Sequence, residues 1–274
     1  MIKIDQNKPL FERLDESKIL SFVSKENLCY LSALDIFDSL PSTNQFLLEH
    51  AKNSPSGRFC FAEQQTAGRG RRGRAWDSPF SGNIACSLLW RFKGQQSVSG
   101  LSNAIGVMVV TVLQKYGIKE GLQLKWPNDV LFAQRKLAGI LLEKIGESVV
   151  IGIGINLNLP EPKLKERIDV GEITNKTVAR NKLAGLLVNE LLRGLPQFQQ
   201  QGLQAFINEW RKQDSLTGCK VNVLTSKQVF SGIAQGINED GEFLLLDQNQ
   251  QLHIFSYGEV TVRCQENIIL NQHD

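Results

Sequence analysis

The segment Ser148 to Asn158 carries Val149, Val150, Ile151, Ile153 and Ile155 in a nearly unbroken apolar run. A strand with one wet face alternates apolar and polar residues, whereas a strand covered on both faces has no need to. This run demands a sheet with material on either side, and it puts the chain in the mixed α/β or α+β class. Composition agrees: 42% hydrophobic and 22% charged residues describe a chain that can bury a core, not a disordered, collagen-like or coiled-coil one. Its 274 residues leave room for one large domain, or for one with a small appendage.

The remaining elements read off in order. Leu10 to Val23 has helical spacing and reads as an N-terminal helix on the main body. Ala33 to Leu40 alternates as a strand. Ser42-Thr43-Asn44 then supplies N-cap chemistry for a helix over Gln45 to Ala51. Strands are expected over Arg58 to Ala62, Asn83 to Phe92 and Gly121 to Lys125, with a long helix over Ser97 to Tyr116. Trp126-Pro127-Asn128-Asp129 is a turn. A hairpin follows, Val130 to Phe132 and Leu137 to Lys144 about a Gln134-Arg135-Lys136 loop. Pro160 to Thr174 reads as a mobile surface loop, and Val178 to Gln200 and Leu203 to Gln213 as helices. From Gly218 to Arg263 short β-rich runs (221–224, 229–234, 243–246, 252–255, 260–262) alternate with Gly, Asn and Asp, which predicts a small β-barrel. The divisions expected are 1–30 as a helical extension, 31–215 as the main domain and 216–266 as the barrel.

Several function classes are excluded early. The best apolar stretch, Ile105 to Leu113, is far short of a membrane span and is interrupted by Gly106 and Thr111, and no secretory leader is readable in Met1 to Lys18. With 31 basic and 28 acidic side chains the net charge is +3, so any anion binding has to be local. Five scattered cysteines, none in a C-x-x-C pair, argue against a disulfide framework or a zinc site and predict reduced, mostly buried thiols of a cytoplasmic protein.

Gly68-Arg69-Gly70-Arg71-Arg72-Gly73 formally satisfies G-x-G-x-x-G, but Pro79 and Gly82 follow too soon for the helix that a dinucleotide fingerprint must open. What remains is a loop whose glycines allow close approach while Arg69, Arg71, Arg72 and Arg74 supply charge suited to phosphate. A solvated basic loop or an RNA-binding segment has the same residue types. Lys125-Trp126-Pro127-Asn128-Asp129 puts a lysine, an aromatic, an amide and a carboxylate on one turn, although Pro-Asn-Asp also simply makes turns. Lys136-Leu137-Ala138-Gly139 adds a second lysine. Gly152-Ile153-Gly154-Ile155-Asn156 removes side chains from one face of a buried strand, leaving a floor for a flat ring or merely meeting a packing need. Together these segments can position and electrostatically stabilise a phosphoryl centre, and no Ser, Cys and His set for covalent catalysis stands out.

In this order and spacing, Asp38 to Asn44, Ala62 to Trp76, Lys125 to Asp129, Lys136 to Leu141 and Gly152 to Asn156 resemble the biotin protein ligases, with weaker likeness continuing to Arg263. The resemblance implies an α+β catalytic domain of the class II synthetase kind, a mixed sheet flanked by helices, followed by an SH3-like barrel. It implies ATP-dependent formation of biotinyl-5′-AMP with release of pyrophosphate, then transfer of biotin to a lysine of the biotin carboxyl carrier protein of acetyl-CoA carboxylase, with Mg²⁺ arriving on the ATP phosphates. By the same resemblance Ser42, Thr43, Asn44, Gln65, Arg69, Arg71 and Gly139 bind biotin. Arg69, Arg71, Arg72, Arg74, Trp76, Asn128, Lys136, Gly152 and Asn156 bind ATP. Lys136, Arg71 and Asp129 take the catalytic roles, Lys136 facing the α-phosphate and the biotin carboxylate and Asp129 lying near the attacking lysine.

Neither a dedicated metal site, a specific DNA nor a membrane is expected, and a homodimer is compatible. Family members that also repress transcription carry a winged helix-turn-helix before the catalytic domain; about 30 residues precede the first strand here, so a ligase without repressor function is expected. The related lipoate ligases share the fold, but their run of glycines followed by a histidine is missing. Two competitors remain: adenylation of another acid such as lipoate, and an RNA-binding module, which would want more stacking aromatics than Trp76 beside the arginines.

Overall fold

Two sheets organise the computed structural model, which describes residues 12–92, 97–162, 164–258 and 260–265. The larger contains β1 (Ala33–Leu40), β2 (Arg58–Gln65), β3 (Asn83–Arg91), β4 (Leu122–Lys125), β5 (Asp129–Phe132), β6 (Arg135–Ile145) and β7 (Ser148–Asn156), in the order β1-β2-β3-β7-β6-β5-β4. Only β1 and β2 run parallel, joined through α2 (Thr43–His50); every other pair is antiparallel. Ser42 caps α2 as its spacing predicts, its Oγ accepting from Gln45 N.

Side-chain alternation then divides the sheet into two unlike faces. Ile84, Cys86, Leu88 and Trp90 of β3 and Val149, Ile151, Ile153 and Ile155 of β7 join one large core with α3 (Leu101–Tyr116) and α5 (Arg180–Gln201). On the opposite face Cys60, Leu89 and Val150 pack beneath Leu47 and Ala51 of α2. α2 is short and covers one end of that face only. Along β7 the positions on the same face beyond Val150 are Gly152 and Gly154, and β6 presents Gly139 beside Gly154. The glycine-floored half of this face has no helix above it, and flat or narrow groups can lie close against it.

The β5–β6 hairpin differs from the sequence reading. Its loop is two residues, Ala133 and Gln134, both at positive φ (47° and 64°), so Arg135 and Lys136 belong to β6 and not to a loop. Pairing also shifts register: Leu131 faces Lys136, but Val130 faces Ala138, leaving Leu137 as the extra residue of a bulge. Leu137 and Ala138 consequently both enter the core. Strict alternation from Gly139 would aim Lys136 into that core; the bulge returns it to the glycine face, its Nζ 3.3 Å from where a Cβ on Gly139 would stand.

Other expectations shift by a few residues. α3 starts only at Leu101 behind Gly100, whose φ of 72° stops earlier helix. Instead of one helix over Leu203 to Gln213, a 3₁₀ turn (Gly202–Ala205) precedes α6 (Ile207–Gln213). The N-terminal helix contracts to α1 (Glu16–Leu20) capped by Asp15; Leu10 and Phe11 lie outside the described residues. The loop expected to be mobile holds α4 (Val170–Thr174) and is tied to the sheet, with Lys136 N donating to Glu166 O at 2.7 Å, Ile168 N donating to Lys136 O at 3.0 Å, and Ile168 buried. Only Cys60 and Cys86 are buried; Cys219 and Cys264 are half-buried and Cys29 is exposed.

The second sheet, β8 (Lys220–Leu224), β9 (Val229–Ile237), β10 (Phe243–Asp247), β11 (Leu252–Phe255) and β12 (Thr261–Cys264), is antiparallel throughout, in the order β11-β10-β9-β8-β12. It docks on the turn before β5. Trp126 Nε1 donates to Gly241 O at 3.0 Å, and the indole stacks on Phe243 at a centroid distance of 5.2 Å. Among the described residues no helix is long and apolar enough to cross a membrane.

Candidate active site

The Gly-Arg segment folds back on itself, with Gly70 N donating to Arg74 O at 2.7 Å and Trp76 N to Gly68 O at 2.8 Å. Gly68 is obligatory, because a Cβ would run into the Trp76 carbonyl, and the tip turns through Arg72 and Gly73 at positive φ. No helix of dinucleotide-binding length opens here, only the 3₁₀ turn Arg71–Gly73.

This loop roofs a cleft of about 420 Å³ over the glycine half of the sheet. Ser42, Thr43, Asn44, Gln65, Arg69, Arg71, Arg72, Arg74, Trp76, Asn128, Asp129, Lys136, Gly139 and Gly152 all line it, so segments spread along the first 152 residues converge. Asn156 does not reach it. That side chain is buried, and its Nδ2 donates to Lys136 O and Ile168 O, both at 3.1 Å, so its structural effect is to tie β7 to β6 and to the 166–168 segment.

At one end Gln65 Oε1 accepts from Thr43 N at 2.9 Å and from Thr43 Oγ1 at 3.1 Å. Ser87, on β3 beneath them, donates its one hydroxyl proton to Asn44 Oδ1 and lies within hydrogen-bond distance of Thr43 Oγ1. Donors and acceptors therefore alternate within a few ångströms, the equipment needed to read a polar ring that carries both N–H and C=O groups.

Across the floor the expected flat ring is present, but it is the protein's own. The Trp76 indole lies over Gly139 and Gly154, where a Cβ on Gly139 would stand 3.0 Å from Trp76 Cζ3 and one on Gly154 would overlap the ring. Its Nε1 is buried and has no hydrogen-bond partner among the described residues.

At the other end Lys136 Nζ lies 2.6 Å from Asp129 Oδ1 and 5.5 Å from the centre of the Trp76 ring. Arg71 is held by Asn128, whose Oδ1 accepts Nη1 at 3.3 Å while its Nδ2 donates to Ile140 O at 2.7 Å. Burial pulls the Arg71 guanidinium below its ordinary pKa, and Tyr257 and Asp129 oppose that shift. The cleft as a whole thus presents eight cationic side chains, from Arg69 near Asn44 to Lys125, Arg167 and Arg263, against the single lining carboxylate of Asp129. Such an excess suits a polyanion.

The contribution from the second sheet has no counterpart among the sequence motifs. Arg71 Nη2 donates to Gly258 O with the guanidinium 4.6 Å above the Tyr257 ring, and Arg72 Nη1 donates to Thr261 Oγ1 at 2.9 Å. Val260 to Arg263 close that side of the cleft. Glu143 likewise belongs to no motif; it pairs with Arg69 at 2.9 Å. No motif points to either, because the partners are far apart in sequence.

Comparison with known proteins agrees with this geometry. Residues 36–159 match the biotin/lipoate A/B protein ligase family, and residues 218–263 match the biotin protein ligase C-terminal domain. The bifunctional ligase/repressor BirA of Escherichia coli (strain K12) is 36% identical over 262 residues, covering 92% of this chain and 79% of that protein. The biotin–acetyl-CoA-carboxylase ligase of Mycobacterium tuberculosis is 34% identical over 238 residues, 83% and 88% of the two chains. Among solved structures, biotin protein ligase from Aquifex aeolicus in complex with biotin and ATP superposes with a TM-score of 0.74 at 29% identity, covering 85% of this chain and 98% of that one. The convergence of the motifs on one cleft and the matches over both sheets have the same meaning: the chain belongs to the biotin protein ligases of the biotin/lipoate A/B protein ligase family.

Proposed function

We propose that this cleft joins biotin to ATP and passes the biotinyl group to a lysine of a carrier protein, the biotin carboxyl carrier protein of acetyl-CoA carboxylase, in the cytoplasm. The observation that carries the reading is the polarity of the cleft: a donor–acceptor pocket around Thr43, Asn44 and Gln65 at one end and a rim of arginines and lysines at the other. A ureido ring suits the first, and phosphates suit the second. A carboxylate joining them would meet the α-phosphate beside Lys136.

In the first half reaction a biotin carboxylate oxygen forms a bond to the α-phosphorus while the bond to pyrophosphate breaks. Two anions must approach, so Lys136 and Arg71 act by reducing their repulsion and holding the charge that accumulates at the transition state. In the second, the carrier lysine amine attacks the acyl carbon, AMP leaves, and the amine loses a proton. Asp129 is the carboxylate placed to orient that amine. Asn128 acts through Arg71, which it holds. Trp76, on the glycine floor, is the aromatic group offered to adenine.

Mg²⁺ would arrive with the nucleotide. Among the described residues no group of three or more His, Cys, Asp or Glu side chains is gathered to hold an ion, and a lone Asp129 in the cleft fits an ion already carried by phosphates. That ion would neutralise phosphate charge. Incubation of the protein with biotin, α-labelled ATP and Mg²⁺ should yield labelled biotinyl-AMP, and addition of carrier should discharge it. Adenylate formed with lipoate and not with biotin would overturn the substrate assignment.

A further inference from the structure

Glu143 belongs to none of the motifs, yet it joins two of them. Its carboxylate accepts Arg69 Nη2 on both oxygens, at 3.0 and 2.9 Å, and Asn44 Nδ2 at 2.8 Å. Asn44 comes from the head of α2 and Arg69 from the Gly-Arg loop, and β6 places the acid between them. Asn44 has little freedom of its own: Ser87 Oγ donates to its Oδ1, and the same oxygen fills the space a Cβ on Gly152 would need. The loop is therefore moored to the rigid sheet at Arg69 while its tip leans on the second sheet at Arg72.

We propose that Glu143 is a positioning residue for the biotin end of the cleft: by pairing with Arg69 and Asn44 before any ligand arrives, it holds both in the places from which they grip the head group. The proposal rests on the reading of the cleft given above. An arginine free in solvent samples many rotamers, and each must be given up on binding; a carboxylate that fixes the fork beforehand removes that cost from the association step. Glu143 touches no reacting atom in this scheme, so its effect belongs in affinity for biotin and not in the rate of bond making.

The test is calorimetric and kinetic together. Glu143→Ala should weaken biotin binding and raise its KM about tenfold, the scale of one lost charge-assisted bond. The maximal rate of adenylate formation and the KM for ATP should stay within about threefold, since Lys136, Arg71 and Trp76 carry most of the contact to the nucleotide and to the reacting groups, and Arg69 only a small part of it. Glu143→Gln keeps an acceptor without the charge and should fall between the two, which also decides the matter if the alanine variant fails to fold. On an Arg69→Ala background the alanine substitution should add almost nothing, because its effect passes largely through Arg69. Additive losses, an unchanged biotin KM, or a fall confined to the maximal rate would each overturn the proposal. Failure of the unaltered protein to form biotinyl-AMP would instead overturn the reading on which it rests.

Discussion

Lys136 and Asp129 face one another across the β5–β6 hairpin, Nζ to Oδ1 at 2.6 Å, although seven positions separate them in the chain. Each is about one-third exposed or less, so neither is simply solvated. In the proposed reaction the lysine is thereby aimed over the floor at the point where carboxylate and α-phosphate meet, and the aspartate is kept as the one anion in a cationic rim.

Replacing Lys136 by alanine should slow adenylate formation by about 10² to 10³, the scale for losing one preorganised electrostatic group, while discharge of preformed biotinyl-AMP to the carrier falls much less. Stability should change by no more than about 1 kcal/mol, as for other partly exposed ion pairs. Rapid-quench measurements of the two steps, with thermal unfolding alongside, check this. Equal loss in both steps would make Lys136 a structural residue.

Gly154→Ala tests the floor. Its Cβ would overlap the Trp76 indole, which must lift or twist, with a stability cost of about 1–3 kcal/mol from overpacking. ATP should bind more weakly, biotin nearly as before, and tryptophan fluorescence should report the displaced ring. An unaltered KM for ATP would show that the indole has no part in nucleotide binding.

The N-terminal segment is tied to α5 at several points, Arg180 Nη1 donating to Glu12 O and Asn181 Nδ2 to Arg13 O among them, and one buried ion pair underlies them. Arg180 at the start of α5 meets Glu63 of β2 at 2.6 Å with both side chains essentially inaccessible, and Glu63 Oε1 also accepts from Leu14 N at 2.7 Å. Removing one partner leaves an uncompensated buried charge, so Glu63→Ala should destabilise the fold by about 3–5 kcal/mol. Urea unfolding monitored by circular dichroism gives the figure; a loss under about 1 kcal/mol would contradict it.

The thiols should separate by burial. Desolvation pushes Cys60 and Cys86 well above the ordinary thiol value, so at pH 8 a thiol reagent should modify Cys29 quickly and those two only on unfolding. A group raised in the folded state contributes stability fully below its unfolded pKa of about 8.5, and that contribution declines as pH rises above it. Stability should therefore fall between about pH 8.5 and 10, less steeply in a Cys60→Ala, Cys86→Ala double variant. Mass spectrometry of labelled native protein tests the first statement and urea titrations across pH the second.

Much of this was legible before the structure. The apolar run of β7 announced a doubly covered strand, the cap at Ser42 announced α2, and the Gly-Arg stretch announced itself as irregular, because each signal is local. Ser87 and Glu143 gave no signal, since a serine and a glutamate acquire meaning only from the strands that bring them beside Asn44 and Arg69. Tyr257 and Thr261 were hidden for the same reason: the docking of the second sheet is set by Trp126 and Gly241, 115 positions apart. Asn156 ends a glycine-bearing strand and so resembles a floor residue, but what its amide binds, the Lys136 and Ile168 carbonyls, is set by a neighbouring strand and a distant loop.

The bulge at Leu137 has a consequence for how this chain can vary over generations. Strand geometry is a matter of parity: with two residues between Lys136 and Gly139, both ends stay on the cleft face only because Leu137 and Ala138 turn the same way into the core. Substitutions at Leu137 would be judged chiefly by volume, and loss of that residue would restore plain alternation with the lysine still over the floor. Any change that irons out the bulge at its present length would instead turn the lysine behind the sheet, so drift here is constrained by the shape of the ladder more than by its residue count.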